Sequence, residues 1–357
     1  MATTASPRTR YPSPPAARFP RCAGKCSPLY WREGTCLEVS VIEVLRVVHY
    51  GLGPIGLGVA RVLLERPRVR VVGAVDASPD LQGRDLGELL DREPVGVTVV
   101  GTLEAVPRAE VVVHATQSRL VQVESQILEL VSRGAHVVST CEELSYPWFH
   151  HKAAAERIHE AAQAAGVAVT ALGVNPGFVM DLLPVILSAP CRTVRRVSVE
   201  RRVDVRARRL PLQRKVGVGM TEEEFQAGVQ AGVVGHVGLG ESVAMIAAGL
   251  GWTLEAIVDQ VRPVVRDGRV EGLRQSASGI VDGQERVRLD LTMALDLEDP
   301  TDRVRIEGDP SFVSEIPGGL HGDVATCALV ANALPLVRAA PPGLRTVLEL
   351  PPLRFSG

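Results

Sequence analysis

The chain has 357 residues, of which 46% are hydrophobic and 22% charged, and its formal net charge is −2. This apolar content allows a sizeable core and excludes global disorder. The near balance of charge argues against a nucleic-acid-binding protein, which carries a basic excess on its folded part. No apolar run reaches the roughly 18 residues of a membrane-spanning helix, and six cysteines are too few for a disulfide scaffold of this length. We therefore expect a soluble, cytoplasmic protein that binds neither nucleic acid nor membrane.

The first 43 residues differ in composition from the rest. Residues 1–32 contain six basic side chains, no acidic one and six prolines, a composition that predicts a disordered tail over residues 1–43. The tail lacks the apolar central run of a secretory signal; an organelle transit segment and a start codon placed too far upstream are both compatible with it. Cys22, Cys26 and Cys36 supply only three of the four ligands of a zinc site, so we expect no metal.

A dinucleotide-binding fingerprint follows the tail. The apolar run Leu45–Tyr50 predicts a buried strand, and a helical pattern and a second strand, Val69–Val75, come after it. Between the first strand and the helix lies the sequence Gly51-Leu52-Gly53-Pro54-Ile55-Gly56. The first glycine permits a tight turn, the second lets the backbone approach a pyrophosphate, and the third lets the helix pack on the strand. These six residues are the predicted cofactor cradle.

Asp76 ends the second strand, 25 positions after Gly51. A carboxylate there accepts hydrogen bonds from a ribose 2′-hydroxyl and repels a 2′-phosphate. NAD(H) is therefore the preferred cofactor, and NADP(H) remains an alternative because Arg84 is close in sequence.

Alternation of strands and helices continues to residue 172. Strands are predicted near Val97–Val100, Glu110–His114, Ala135–Thr140 and Val167–Leu172, and helices near Arg119–Arg133 and Pro147–Ala165. This order predicts an α/β fold, a Rossmann-type doubly wound parallel sheet over residues 44–172. Reactive groups should lie on the loops that follow the strands. The candidates for cofactor binding on these loops are Ala115, Thr116, Ser118 and Asn175.

Residues 173–319 show a different pattern. Val197–Val205 and Val287–Leu295 alternate apolar and polar residues, and Asp282-Gly283 is a hairpin signal before the second of them. Helices are predicted to begin at a capping box, Thr221 to Glu224, and near Glu241. We expect a second, α+β domain with a mixed or antiparallel sheet. One sheet face should pack on helices and the other, also apolar, should be covered by a second copy in a homodimer. Residues 320–357 should form a C-terminal helix that packs back on the first domain.

Several longer strings resemble one known family. They are Gly51–Gly56, Ser139–Pro147, Gly173–Asp181, Gly217–Thr221, Gly235–Ser242 and Ile316–Gly319. Together they are similar to the 2,4-diaminopentanoate dehydrogenases and the native amine dehydrogenases, distant relatives of dihydrodipicolinate reductase. The resemblance covers about residues 45–340. It implies a Rossmann domain, a substrate and dimerisation domain, and NAD(P)-dependent interconversion of an amine with a ketone or aldehyde plus ammonia.

One departure disfavours the dihydrodipicolinate reductases themselves. Those enzymes carry a His-His-x-x-Lys motif followed by a Pro-Ser-Gly-Thr segment, whereas His150-His151-Lys152 places the lysine next to the histidines and no such segment follows. We expect these three residues on the solvent face at the start of a helix. The carboxylate of diaminopentanoate also needs a cationic partner, which the sequence does not single out among its arginines.

The predicted catalytic residue is Glu142 or Glu143, with Glu142 preferred. Both follow the strand Ala135–Thr140, at the sheet edge where the nicotinamide lies. The reaction needs an anion that holds ammonium near the carbonyl, takes its proton and stabilises the iminium cation. An ordinary glutamate titrates near about 4.3, so burial should raise its pKa. The resemblance implies that a glutamate of this string is catalytic.

Four further residues are candidates for the substrate pocket. They are Tyr146, Trp148, Phe178 and His236, the first three because aromatic side chains wall apolar pockets. Aromatic residues also fill cores, and a buried histidine also serves only to satisfy backbone groups. Asn175 can orient the nicotinamide or substrate, or simply occupy a turn. Cys141 is interpreted as an inert small residue and Asp323 as a helix cap.

The sequence is therefore compatible with three functions. The first is an amine dehydrogenase that uses a small amine or carbonyl substrate and ammonia. The second is a reductase acting on a preformed imine or a carbonyl. The third is a non-catalytic NAD(H)-binding sensor.

Overall fold

The computed structural model describes residues 44–206 and 208–356. The tail predicted over residues 1–43, with its three cysteines, lies outside the described residues. The first half of the described chain contains strands β1 (Leu45–Tyr50), β2 (Val69–Val75), β3 (Val99–Val100), β4 (Val111–His114), β5 (His136–Ser139) and β6 (Ala168–Ala171). Its helices are α1 (Pro54–Leu64), α2 (Leu120–Ser132), α3 (Lys152–Ala165) and α4 (Leu182–Leu187).

The second half contains strands β7 (Thr193–Asp204), β8 (Ala256–Arg266), β9 (Arg269–Val281), β10 (Gln284–Ala294), β11 (Thr301–Asp309), β12 (Phe312–Pro317) and β13 (Gly343–Leu344). Its helices are α5 (Leu210–Lys215), α6 (Glu222–Gln230), α7 (Leu239–Gly249) and α8 (Gly322–Arg338). None of the described helices is long and apolar enough to cross a membrane.

The first sheet is parallel throughout and has the order β13-β6-β5-β4-β1-β2-β3. Helices α1 and α8 share one apolar core with it, and α2 and α3 share another. Because the apolar strands are covered on both faces, the sheet is doubly wound, and the predicted Rossmann-type fold is confirmed. Tyr50, His114 and Ser139 stand in register at the carboxyl ends of β1, β4 and β5, so the loops after these strands meet at one edge.

The second sheet is mixed, with the order β12-β11-β7-β10-β9-β8. Strands β7 and β10 run parallel and the remaining neighbours antiparallel. Asp282 and Gly283 join β9 to β10 with φ of 51° and 69°, the left-handed conformation of a two-residue hairpin turn. The inner face packs on α7 through Val243 and Ile246. The α+β second domain is therefore confirmed as mixed.

The outer face of this sheet is charged rather than apolar. The prediction that an apolar outer face must be covered by a second copy of the chain is therefore wrong. Arg303 Nη1 lies 2.8 Å from Glu200 Oε2, and its Nε lies 3.3 Å from Glu315 Oε2 on the neighbouring strand. Arg288 pairs with Asp290 at 2.8 Å. Opposite charges directly across strands stabilise such a face in water, so a homodimer remains a prediction without this argument.

The structure corrects three local predictions, two near the start of α3 and one at the start of α8. Helix α3 begins at Lys152 rather than Pro147, with His151 at its N-cap. His150 Nδ1 contacts Glu241 at 3.4 Å and His151 Nε2 contacts Glu143 at 3.4 Å, so these histidines do not simply face solvent. The cap of α8 is His321, whose Nδ1 accepts from the Val324 amide at 3.5 Å; Asp323 lies in the first turn instead.

Candidate active site

The glycine-rich loop has the shape that a pyrophosphate requires. Gly51 has a φ of +98°, and a Cβ added there would lie 2.4 Å from the Ala115 carbonyl oxygen. A Cβ added at Gly56 would lie 1.9 Å from the Gly51 carbonyl oxygen. Neither position tolerates a side chain. At Gly53, the N-cap of α1, a Cβ meets nothing within 4 Å. The N-terminus of an 11-residue helix therefore faces open space bordered by backbone amides, which suits an anionic phosphate group.

Asp76 lies beside this loop. Its Oδ2 accepts a hydrogen bond from the Leu52 amide at 2.6 Å, and its Oδ1 accepts one from the Ser78 amide at 2.8 Å. The carboxylate therefore fixes the glycine-rich loop as well as presenting its remaining lone pairs to a ribose. The residues present fit a nicotinamide dinucleotide.

A cavity of about 330 Å³ extends from this loop to the inner face of the second sheet. Residues on the Rossmann side include Gly53, Pro54, Ile55, Ala115, Thr116, Ser118, Cys141, Glu142 and Asn175. On the side of the second domain lie Arg201, Val203, Arg208, Arg209, Leu212, His236, Leu291 and Met293. The cofactor-loop residues predicted from the sequence thus share one cavity, although Gly51, Leu52, Gly56 and Asp76 lie outside its wall.

The two adjacent glutamates point to different places. Glu142 opens a short 3-10 turn, Glu142–Leu144, directly after β5, and its side chain lines the cavity. Residue Glu142 is partly exposed to solvent through the cavity, but its carboxyl group is surrounded by many protein atoms and lies deep in the molecule. Desolvation raises the pKa of Glu142, an effect opposed by the charge of Lys215 and by a hydrogen bond from Ser118. A recessed carboxylate with a raised pKa suits proton transfer near neutral pH.

Glu143 points away from the cavity and is held by three partners. Its Oε1 accepts from Arg119 Nη1 at 2.7 Å, and its Oε2 accepts from the Leu120 amide at 2.7 Å. His151 approaches the same oxygen at 3.4 Å. These contacts fasten the loop after β5 to the start of α2 and to α3. Glu143 faces a second cavity, of about 470 Å³, that also contains Glu241 and Asp259.

Asn175 and His236 meet at the boundary between the two domains. Asn175 Nδ2 lies 2.9 Å from His236 Nε2, and Asn175 Oδ1 is buried without a hydrogen-bond partner among the described residues. Burial lowers the pKa of His236 to about 3, and the charges of Lys215 and Arg201 act in the same direction. The ring is therefore neutral, and its Nε2 accepts from the amide. This leaves Asn175 Oδ1 as a free acceptor.

The sequence alone did not identify the arginines that line one side of the cavity. Arg208 Nη2 pairs with Asp323 Oδ1 at 2.8 Å, and Arg209 Nε lies 3.5 Å from the other oxygen of Asp323. Arg201 is committed to Asp302, to which it gives two hydrogen bonds of 2.8 Å. Two guanidinium groups thus share the single carboxylate of Asp323, which leaves an excess positive charge at the cavity wall. No signal short of tertiary structure distinguishes these arginines from the others.

The predicted aromatic wall is absent from this cavity. Tyr146 packs against the core that α1 and α8 form with the first sheet, and Phe178 packs against both this core and the core of the second domain. Trp148 packs against the core formed by α2 and α3, with its ring 5.7 Å from the His159 ring. Aliphatic side chains take their place in the described cavity wall. Cys141 lines the cavity, but burial raises the pKa of its thiol far above the ordinary range, which makes it inert. Among the described residues, no group of three acidic, histidine or cysteine side chains is arranged to hold a metal ion.

Comparison with known proteins agrees with this geometry. Residues 45–169 match the family model of the dihydrodipicolinate reductase N-terminus, and residues 178–355 match that of the 2,4-diaminopentanoate dehydrogenase C-terminal domain. The 2,4-diaminopentanoate dehydrogenase of Acetoanaerobium sticklandii is 33% identical over 345 residues, which cover 87% of this chain and 94% of that protein. An amine dehydrogenase of Streptomyces virginiae is 26% identical over 86% of this chain and 96% of its own.

A solved structure gives the same result. The amine dehydrogenase of Mycobacterium smegmatis superposes with a TM-score of 0.78 at 25% identity, over 87% of this chain and 97% of its own. The chain is thus an NAD(P)-dependent oxidoreductase that acts on CH–NH2 groups. Within that class it belongs to the 2,4-diaminopentanoate dehydrogenase family, and the resemblance in its sequence is confirmed.

Proposed function

We propose that this protein interconverts an amine bearing a carboxylate with the corresponding carbonyl compound and ammonia, with Glu142 as the general base. The placement of Glu142 carries the proposal. It is a deep carboxyl group at the end of β5, in the same cavity as the loops that follow the other strands. The nicotinamide supplies hydride transfer when it is bound, so the protein needs to bind, orient and move protons.

The role of Glu142 follows from charge. In the aminating direction the carboxylate holds ammonium next to the carbonyl and accepts its proton, so that ammonia can attack. Glu142 then returns this proton to the hydroxyl of the adduct, which leaves as water, and the regenerated carboxylate stabilises the iminium cation. In the deaminating direction the same group takes the proton from the substrate ammonium. Desolvation strengthens both interactions because the local dielectric is low.

Asn175 and the apolar wall complete the arrangement. The free Oδ1 of Asn175 is a suitable acceptor for the carboxamide N–H of the nicotinamide, and His236 holds the amide in that orientation. Val203, Leu212 and Met293 line the opposite wall. Apolar side chains at this place limit the access of bulk water to the iminium carbon.

The arginine pair supports an acid-bearing substrate. Arg208 and Arg209 share Asp323, and the Nε of Arg208 is buried without a hydrogen-bond partner among the described residues. A carboxylate is the ligand that guanidinium groups recognise best. The relative from A. sticklandii is named for 2,4-diaminopentanoate, a substrate with such a group. We therefore assign the carboxylate end of the substrate to this side of the cavity.

The preferred cofactor is NAD(H), and the preferred assembly is a homodimer. Asp76 carries a negative charge where NADP(H) has its 2′-phosphate. The dimer follows from the resemblance, which implies that the second domain also serves dimerisation. Light scattering at micromolar concentration should give twice the chain mass; a monomer would contradict this part of the proposal.

A steady-state assay tests the function. We expect NAD⁺ reduction with 2,4-diaminopentanoate and release of ammonium, and much weaker turnover with pentane-2,4-diamine, in which a methyl group replaces the carboxylate. NADH oxidation should require ammonium. Turnover of a ketone without ammonium would support the carbonyl reductase instead, and tight NADH binding with no turnover of amines or carbonyls would support the sensor.

A further inference from the structure

His114 is a buried residue for which the proposed reaction has no direct use. Its side chain is 0% exposed at the end of β4. Nδ1 lies 2.9 Å from Ser139 Oγ, and Nε2 lies 2.8 Å from Gln126 Oε1. Burial lowers the pKa of His114 to about 4. The ring is therefore neutral under ordinary conditions, with one N–H donor and one acceptor nitrogen.

The partners determine the direction of each hydrogen bond. Gln126 Oε1 only accepts, so His114 Nε2 carries the proton and Nδ1 accepts from the Ser139 hydroxyl. Ser139 Oγ in turn accepts the backbone N–H of Cys141 at 3.0 Å. Thr116 Oγ1, which lies 2.9 Å from the same Nε2, donates to Gln126 Oε1 at 2.8 Å. The imidazole and hydroxyl protons thus fit one consistent arrangement, which makes the network rigid.

The two arms of this network end in different parts of the active site. Through Ser139, His114 holds the amide of Cys141, the residue directly before Glu142. Through Gln126, it holds Thr116, which lines the cavity on the loop after β4. Tyr50, whose ring stands edge-on at 5.6 Å, closes the third side from the end of β1. The ring at the end of β4 therefore contacts the ends of both neighbouring strands, β1 and β5.

We propose that His114 is a positioning residue that orients the Glu142 loop through Ser139 and the cofactor-binding loop through Gln126 and Thr116. His114 itself does not line the cavity that contains Glu142 and Thr116. The Ser139 arm rests on the proposed role of Glu142, whereas the Thr116 arm requires only that the cavity binds a dinucleotide.

His49 provides a contrast on the adjacent strand. It is also 0% exposed, and its register partner on β4 is Val113, next to His114. Both of its ring nitrogens are without hydrogen-bond partners among the described residues. Its ring does approach the backbone of Gly56 in the glycine-rich loop, so its replacement measures the loss of a buried ring that ties neither the loop after β4 nor the Glu142 loop.

Two conservative variants separate the arms. In His114→Asn the Oδ1 replaces Nδ1 as the acceptor for Ser139, but the donor to Gln126 is lost. In His114→Gln the Nε2 replaces the donor to Gln126, but the acceptor for Ser139 is lost. Ser139→Ala and Thr116→Val remove each arm at its other end and keep the test valid if a His114 variant does not fold. His49→Leu is the matched control.

The readouts are the kcat for amine oxidation at saturating cofactor, the Kd of NADH from fluorescence titration, and the Tm. His114→Gln should match Ser139→Ala, with kcat lowered about tenfold and the Kd of NADH changed less than about twofold, as expected for one lost hydrogen bond. His114→Asn should match Thr116→Val, with the Kd of NADH raised about tenfold and a smaller effect on kcat. His49→Leu should lower the Tm without reproducing either of these selective patterns.

Two results would overturn the proposal. If His114→Asn and His114→Gln change kcat and Kd in the same proportion, or change only the Tm, His114 is a packing residue. If no variant and not even the wild type oxidises amines, the proposed function fails separately, and the Kd of NADH still decides the cofactor arm.

Discussion

Asn175 Nδ2 lies 2.9 Å from His236 Nε2 and thereby joins the loop after β6 to the second domain. His236 accepts because its pKa of about 3 keeps the ring neutral, so the carbonyl oxygen of Asn175 is directed away from the ring and is buried without a partner among the described residues. A buried acceptor of this kind costs free energy until a donor reaches it. The proposed donor is the carboxamide of the cofactor.

Replacing Asn175 tests that assignment. Asn175→Ala should raise the Kd of NADH about tenfold, the effect of one hydrogen bond in a desolvated site. His236→Ala should raise it less, because the amide remains and loses only its orientation. Fluorescence titration of NADH measures both. An Asn175→Ala protein that binds NADH as the wild type does would remove the amide from the cofactor site.

Charge at Asp76 should decide between the two cofactors. Asp76→Asn retains an oxygen that can accept from the Leu52 amide but removes the negative charge that repels a 2′-phosphate. We expect the ratio of kcat/KM for NADH over NADPH to fall by about tenfold or more, mainly through better use of NADPH. Wild-type protein that already prefers NADPH would show that Asp76 has been misinterpreted.

Arg209 should matter only for substrates that carry a carboxylate. Its side chain is 34% exposed, whereas that of Arg208 is 6% exposed and paired with Asp323, so Arg209 is the safer residue to replace. Arg209→Gln should raise the KM for 2,4-diaminopentanoate by roughly tenfold to a hundredfold, the loss of a charge-assisted contact. The KM for pentane-2,4-diamine should change little. Equal effects on both amines would place the carboxylate elsewhere.

Lys215 should set the acidic limit of activity. Its positive charge lowers the pKa of Glu142, against the larger raising effect of desolvation. Protonated Glu142 cannot accept a proton, so activity falls as the pH drops through this pKa. Lys215→Met removes the opposing charge, raises the pKa of Glu142 and should move the acidic limb of kcat/KM to higher pH. Lys215→Arg should leave the limb in place, and a limb that does not move in Lys215→Met would uncouple it from Glu142.

The sequence predicts the cofactor site well because backbone geometry dictates it. Gly51 and Gly56 have no room for a Cβ, and Asp76 follows a strand whose apolar pattern is continuous. Such constraints act between residues close in sequence. The alternation along β7 likewise predicts the second sheet, although it does not show that the outward residues pair with opposite charges across strands.

The substrate side could not be predicted in the same way. Arg208 meets Asp323 across 115 positions of the chain, and no local pattern distinguishes it from other arginines. The different directions of Glu142 and Glu143 depend on the 3-10 turn that contains them. Tyr146, Trp148 and Phe178 were expected at the pocket because aromatic side chains fit there, but the cores of both domains take up the same apolar surface.

The same turn predicts opposite consequences for the two glutamates. Glu143→Gln weakens the ion pair with Arg119 and the hydrogen bond from the Leu120 amide, so it should lower the free energy of unfolding by about 1–3 kcal/mol. Its kcat should fall by no more than about tenfold, as for another lost contact to the same loop, because Glu143 itself lies outside the catalytic cavity. Denaturant titration and steady-state turnover on one preparation provide both values.

The most direct test of the account is the kcat of Glu142→Gln for amine oxidation, measured beside its Kd for NADH. The amide keeps the size of the side chain but cannot take a proton or hold ammonium by charge. We predict a kcat lowered by roughly 10²–10⁴-fold, with the Kd of NADH and the Tm close to those of the wild type. A Glu142→Gln protein that retains near-wild-type kcat would contradict the assignment of the general base.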